Sequence, residues 1–251
     1  MTMLSKTKLL NGLRCLKSLY LTVHHPELAD PISLEDQARF DQGTAIGVKA
    51  REYYPGGVLI DNQPWDFSGA LAKTRQLIDS GVTTIYEAAF EHQGCYARLD
   101  IIQYNHETNC WRVFEVKSST KVKPKHFEDV GLQVWIATGS GLSVDQVNIV
   151  HVNNQYRYPA LQDLFTVVDV TSEIMAKQAT LHPQIQKLQN TLQEQEAPDI
   201  DIGPHCTAPY DCVFKQNCWQ QKQIPKLSVF DLPRIGKKQW ELYQDGIFAF
   251  R

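Results

Sequence analysis

Residues 95–119 read CYARLDIIQY (95–104), NHETN (105–109) and CWRVFEVKSS (110–119). The outer blocks are rich in β-branched and aromatic residues, and the five residues between them are polar turn formers. The stretch therefore predicts two antiparallel strands joined by a hairpin turn. The block before it, TTIYEAAFEH (83–92), ends at Gln93-Gly94, a two-residue turn pair, and adds a third strand. Alternation in the last strand puts Glu115 and Lys117 on one face and Phe114 and Val116 on the other. Asp100 sits among apolar neighbours, where a solvated charge is out of place. If the strands pair across the 105–109 turn, Asp100 comes near Glu115 on one sheet face.

Outward from this stretch the period changes to that of helices. Leu9, Leu10, Leu13, Leu16, Leu19 and Tyr20 recur at helical spacing and predict one helix over 4–21, with Ser5 as N-cap. A second is expected over 33–53, with Phe40, Ile46 and Ala50 on its apolar face, before Tyr54-Pro55-Gly56-Gly57. A third covers 69–79. Beyond the strands, 125–138 reads as a helix, VNIVHV (147–152) as a strand, and 171–196 as a glutamine-rich helix interrupted by Pro183. The order is helix, three strands, helix, strand. It predicts an α/β class fold (an α+β mixed sheet) with helical flanks.

The chain has 251 residues and a net charge of −3, so it is no general trap for nucleic acid; positive charge has to be gathered locally. Lys121, Lys123 and Lys125, close after Lys117, are the densest such run. A solvated lysine loop is the alternative reading. No apolar run reaches the roughly 18 residues of a membrane span. The first ten residues lack a secretory h-region, and a cytoplasmic setting is expected.

Two carboxylates close together repel and call for a cation. Mg²⁺ and similar ions use one or two carboxylates with waters and phosphate oxygens. A nearby lysine neutralises developing charge or positions the water. Asp100 followed by Glu115-X-Lys117 on the next strand is thus a complete set for phosphodiester hydrolysis. E-X-K alone also fits a surface ion pair.

On these residues the chain resembles the PD-(D/E)XK nuclease superfamily, in its RecB-like branch. Asp100 matches the second-strand aspartate, and Glu115-Val116-Lys117 matches the third-strand signature. DVGLQVWIA (129–137) resembles the branch's Q-X-X-X-Y element through Gln133. The resemblance spans about residues 4–225. It implies a restriction-endonuclease-like α-β-β-β-α-β core at 33–170, and Mg²⁺ or Mn²⁺ held by Asp100, Glu115 and the Val116 carbonyl. Lys117 and Gln133 would be catalytic, and Lys121, Lys123 and Lys125 would follow a DNA backbone. Three positions depart from the pattern. Ala137 replaces the tyrosine, Leu99 precedes Asp100 in place of proline, and Gly47 stands where many RecB-like members have a metal-binding histidine. Glu87 is expected to complete the metal shell, with a purely structural glutamate as the alternative.

Cys206, Cys212 and Cys218 recur in HCTAPYDCVFKQNCW (205–219), and Cys15 lies far upstream. Regularly spaced thiols in a reducing compartment favour metal ligation over disulfides. One early and three late cysteines resemble the iron–sulfur nucleases, AddB-like proteins and the CRISPR-associated RecB-like exonucleases. The local pattern is most similar to a bacterial family of cluster-bearing RecB-like domains that commonly precede further domains. The resemblance implies a structural [4Fe–4S] cluster on Cys15, Cys206, Cys212 and Cys218, in a lobe of residues 4–25 and 198–225. Zinc, with His205 or the same cysteines, is the alternative. Cys95 and Cys110 read as small strand residues.

Residues 226–251 are expected as a helical tail, the start of a further domain, in which LPRIGKK (232–238) resembles half of a helix–hairpin–helix element. The function expected is a metal-dependent nuclease hydrolysing DNA, single-stranded or at free ends, with RNA left open. A catalytically degenerate module binding nucleic acid or protein, and a zinc-stabilised interaction domain, are the other readings. There is no G-x-x-x-x-G-K-[ST] motif, so no ATP-driven unwinding is expected of this chain.

Overall fold

A computed structural model describes residues 3–160 and 163–249. The outer ends of the two expected segments, Met1 and Arg251, lie outside them. The chain divides into two compact units: Met1–Leu10 with Ser33–Ile185, and Asn11–Ile32 with Gln186–Arg251.

The first unit is a mixed α/β layer structure around seven strands among the described residues. They are β1 (Leu4–Ser5), β2 (Val58–Leu59), β3 (Thr84–His92), β4 (Cys95–Asn105), β5 (Cys110–Lys117), β6 (Val144–Val152) and β7 (Phe165–Asp169). The order is β2-β3-β4-β5-β6-β7, with β1 pairing β4 off this path. β3, β4 and β5 are antiparallel, as the alternation required. Gln93 and Gly94 both take positive φ, the backbone a tight hairpin needs. β6 is parallel to β5, so a crossover must join them. The helix α5 (Pro124–Gly139) fills it. β7, an edge strand antiparallel to β6, has too exposed a pattern to stand out in sequence.

Phe114 and Val116 belong to a core with Ala50, Tyr86, Ile101, Val150 and Phe165, packed by α3 (Leu34–Tyr53). Glu115 and Lys117 therefore face the opposite side, where α5 lies. Ser33 caps α3 by accepting the Asp36 N–H at 3.0 Å. The first part of α3 is exposed on all sides: Phe40, expected on the apolar face, is 59% exposed. Only from Ile46 onward does the helix meet the core. α4 (Phe67–Asp79) packs against β3.

The single helix expected over 4–21 is three elements. β1 is followed by α1 (Lys6–Arg14) and α2 (Leu16–His24), broken at Cys15, whose backbone is extended. Leucine periodicity carries across the break and hides it. Ser5, expected as N-cap, ends β1, though its Oγ lies 3.5 Å from the Lys8 N–H. α6 (Thr171–Thr191) runs through Pro183 without interruption.

In the second unit, Ile202, Cys206 and Trp240 are buried together, with Trp219, Phe230 and Tyr243 packed on them. α7 (Lys215–Gln221) carries Cys218 and Trp219, and α8 (Lys238–Gln244) carries Trp240 and Tyr243. The tail expected to begin a further domain is thus part of the core around Cys206. Its aromatic side chains need that surface to leave water. No helix among the described residues is long and apolar enough to cross a membrane.

Candidate functional site

The register Ile101↔Phe114 and Ile102↔Val113 brings Asp100 beside the β5 segment that carries Glu115. Asp100 Oδ2 accepts the Val116 N–H at 2.7 Å, which fixes the carboxyl at the strand edge. Glu115 is 2% exposed. Its Oε1 accepts from Lys117 Nζ at 2.7 Å and from Lys6 Nζ at 3.3 Å, while Oε2 is buried without a partner. Asp129, on α5, takes the other side of both lysines: Lys6 Nζ at 3.0 Å, and Lys117 Nζ in a short contact. The result is a ring of alternating charge, Lys6–Glu115–Lys117–Asp129.

The electrostatics follow from burial and crowding. Burial, then the neighbouring Glu115 charge, pushes Asp100 well above the usual carboxylate range, against the pull of Lys6. Burial works against the charged form of Lys6 and Lys117, but the surrounding carboxylates, Glu115 first, outweigh it and hold both ammonium groups. Asp129 is buried too, yet Lys6 and Lys117 keep it well below the ordinary range. A crowded carboxylate pair, Glu115 buried and Asp100 half-buried, with one orphaned oxygen offers two of the donors a hard divalent cation uses.

Glu87, expected in the metal shell, has φ 57° within β3 and is skipped in the pairing of Tyr86↔Ile101 and Ala88↔Leu99. A left-handed glutamate in a strand costs about 1–3 kcal/mol and persists only where the surroundings impose it. Burial first, then Glu115, raises its pKa, opposed by Arg51. Arg51 NH2 lies 3.4 Å from Glu87 Oε1. Glu87 is thus partnered by an arginine one helical turn beyond Gly47, the position at which the resemblance implies a histidine. A Cβ at Gly47 would meet nothing within 4 Å. Ala137 is fully buried on α5, so a tyrosine there would need repacking.

Gln133, expected to be catalytic, is buried, at 1% exposure. Its Nε2 donates to Asp129 Oδ1 at 3.1 Å and its Oε1 has no partner. Four residues apart on α5, the two share a face, so Gln133 reaches the site through Asp129. Lys121, Lys123 and Lys125 are exposed where the chain enters α5. Burial and then Lys123, Lys117 and Arg39 lower the Lys125 pKa, which marks a local concentration of positive charge.

In the second unit, Cys15, Cys206, Cys212 and Cys218 line one small cavity with Ser18 and Phe214. Burial pushes up the Cys15 and Cys218 thiols and takes Cys206 to about 11, with the other cysteines adding to the rise at each. Arg14 braces the loop: NH2 donates to the Tyr210 carbonyl at 2.6 Å and Nε to the His205 carbonyl. Among the described residues no three His, Cys, Asp or Glu side chains close on a single ion position. Cys95 is buried on β4, its thiol pushed by burial up to about 12, and Cys110 opens β5 half-buried.

No protein-family model matches the chain, and no curated protein matches it. Solved structures that are similar in part include two of an exonuclease. One is LHK-Exo in complex with dAMP, with a TM-score of 0.43 and 14% identity, covering 76% of this chain and 89% of that one. The other is an alkaline exonuclease (LHK-Exo) from Laribacter hongkongensis, with a TM-score of 0.31 and 16% identity, covering 49% and 65%.

Two residues of the ring, Lys6 and Asp129, escape sequence reading. Asp129 was detectable as the helical neighbour of Gln133. Lys6 was not, because its place depends on β1 pairing Leu4↔Cys95 and Ser5↔Tyr96. His126 supports the entry to α5: buried, it accepts the Lys123 N–H on Nδ1 at 3.2 Å. Burial, then Lys117 and Lys125, lowers its pKa to about 4. A histidine depressed in the fold binds its proton more readily when unfolded. Stability is therefore expected to fall as pH drops from about 6.5 towards 4, by at most about 1.4 kcal/mol per pH unit. Urea unfolding at pH 7 and pH 5 checks this. His126→Gln should flatten the difference, and an unchanged slope would mean that this ring does not carry it.

Proposed function

We propose that the chain is a divalent-metal-dependent nuclease of the PD-(D/E)XK, RecB-like type that hydrolyses DNA, single-stranded or at free ends. The observation that carries this reading is the buried Glu115, with one oxygen orphaned, beside a crowded Asp100 and a paired Lys117. Asp100, Glu115, the Val116 carbonyl and Glu87 are the residues to hold Mg²⁺ or Mn²⁺. Such an ion supplies charge to the phosphate and acidity to water. Lys117 positions the attacking water and neutralises developing charge, and Gln133 steadies that arrangement through Asp129. In the overall reaction a water oxygen bonds to phosphorus and the bond to the leaving oxygen breaks. One water proton ends on the leaving hydroxyl and the other is released. Lys121, Lys123 and Lys125 track the backbone outside.

In the second unit, the reading supported best is a structural [4Fe–4S] cluster on Cys15, Cys206, Cys212 and Cys218 in a reducing cytoplasm. The four thiols line one cavity, Cys206 buried and Cys15, Cys212 and Cys218 half-buried. Four thiolates are the ligand set such a cluster requires.

The deciding experiment incubates purified protein with end-labelled single- and double-stranded DNA and RNA, with Mn²⁺, Mg²⁺ or EDTA. Metal-dependent shortening of DNA is expected. Binding without cleavage under every cation would replace the reading by that of a silent binding module.

A further inference from the structure

Lys6 is the least explained member of the charged ring. It arrives from 109 residues away in sequence, and its Nζ meets the same Glu115 oxygen that Lys117 holds. Two ammonium groups on one carboxylate oxygen repel each other. A staple fastening β1 would need only one. A half-buried ion cycle is also a poor source of stability, because desolvation offsets much of the attraction. This ring leaves Glu115 Oε2 without a partner, which a purely structural network would have satisfied.

Formal charge shows what the second lysine is for. Glu87 and Arg51 neutralise each other. Glu115 and Asp129 pair with the ammonium groups of Lys6 and Lys117, and Asp100, counted as ionised as it would be beside a cation, leaves one negative charge. A divalent cation and a phosphodiester together bring one positive charge. The site is neutral only when both are in it, and without Lys6 it would stay negative. Both lysines also remain partly open, with side chains 25% and 16% exposed, so an incoming anion can reach them.

We propose that Lys6 is a second phosphate-binding residue of the hydrolytic site, pairing with Lys117 on the non-bridging oxygens of the scissile phosphodiester. Asp129 is the positioning residue that holds the two lysines side by side. This rests on the nuclease reading above. Two ammonium groups sharing one carboxylate oxygen stand close enough to share one phosphate. Asp129 pairs with both lysines independently of Glu115, so it would hold them side by side if Glu115 were engaged by a cation.

The test uses the full chain with Lys6→Met, Lys6→Arg and Asp129→Asn. Binding of a fluorescent single-stranded oligonucleotide is followed by anisotropy with Ca²⁺ in place of Mn²⁺, cleavage is followed with Mn²⁺, and folding is followed by urea unfolding. Lys6→Met should weaken oligonucleotide binding about threefold to tenfold and lower kcat by on the order of 10²-fold, the scale of losing one charge-stabilising donor. Lys6→Arg should restore most of both. Asp129→Asn should lower kcat with a smaller change in binding. The proposal is overturned if Lys6→Met shifts only the unfolding midpoint, which is the mark of a staple. Tighter cation binding at unchanged kcat would overturn it too, since Lys6 would then be a placeholder. If the wild-type chain cuts no nucleic acid, the nuclease reading fails first and takes this one with it.

Discussion

Asp100→Asn is expected to abolish cleavage and, at the same time, to make the metal-free protein more stable. The amide keeps an oxygen for the Val116 N–H, now accepted by Asp100 Oδ2 at 2.7 Å. It gives up the charge that burial and Glu115 make costly. Loss of a cation-binding carboxylate should lower the rate by on the order of 10²–10³-fold or more. Removing the crowded charge should raise unfolding stability by about 1 kcal/mol, as other stabilising substitutions do. The pH dependence has a definite sign. A carboxylate raised in the fold binds its proton more readily when folded, so charged Asp100 destabilises the native state, and that penalty fades as pH falls through its raised pKa. The stability advantage of the variant should therefore be present at neutral pH and shrink in acid. Cleavage of end-labelled DNA with Mn²⁺, and urea unfolding in EDTA at pH 7 and pH 5, read both halves. A variant that cuts at the wild-type rate, or that is less stable by several kcal/mol, would make Asp100 a structural residue.

That prediction uses what strand alternation made legible. Phe114 and Val116 inward on one face, with Glu115 and Lys117 on the other, follow from a period of two. The polar NHETN turn sets which strands pair. The register Ile101↔Phe114 is what converts those patterns into a site. Other parts of the ring depend on long-range packing that no local pattern records. Lys6 opens α1 directly after β1, a strand of two residues whose pairing with β4 has no periodicity to detect. The break at Cys15 is masked because apolar residues on both sides keep helical spacing. Gln133 could be placed on a helix from its neighbours, but whether that face met solvent or sheet depended on how α5 lies. It is buried against Asp129. Glu87 is off pattern for a different reason. Its positive φ removes it from the pairing and lets Arg51 reach it, and a local backbone inversion of that kind is invisible to alternation.

The break at Cys15 leads to the second large effect. On the proposed cluster reading, changing Cys15, Cys206, Cys212 or Cys218 to Ser is expected to remove an absorbance near 400 nm and iron from the purified protein, and to destabilise the unit that holds these residues. Cys95→Ser and Cys110→Ser should keep both. Cys15 stands between α1 and α2 with an extended backbone and lines the cavity of the three late cysteines. A group bonded to all four would close a loop of nearly the whole chain. Removing one thiolate releases that loop, and binding energy that had been folding energy is lost with it. The loss should be on the scale of removing a native disulfide, about 2–5 kcal/mol. The protein is to be purified without oxygen, with iron, sulfide and zinc measured on each variant. Arg14 donates to the His205 and Tyr210 carbonyls without using any cysteine, so the loop should stay docked in part even in the serine variants. Partial protection of residues 204–210 from hydrogen exchange would report it. Equimolar zinc without iron or sulfide in the wild type would overturn the cluster and leave Asp100, Glu115 and Lys117 untouched, because their argument rests on the sheet and not on the cysteines.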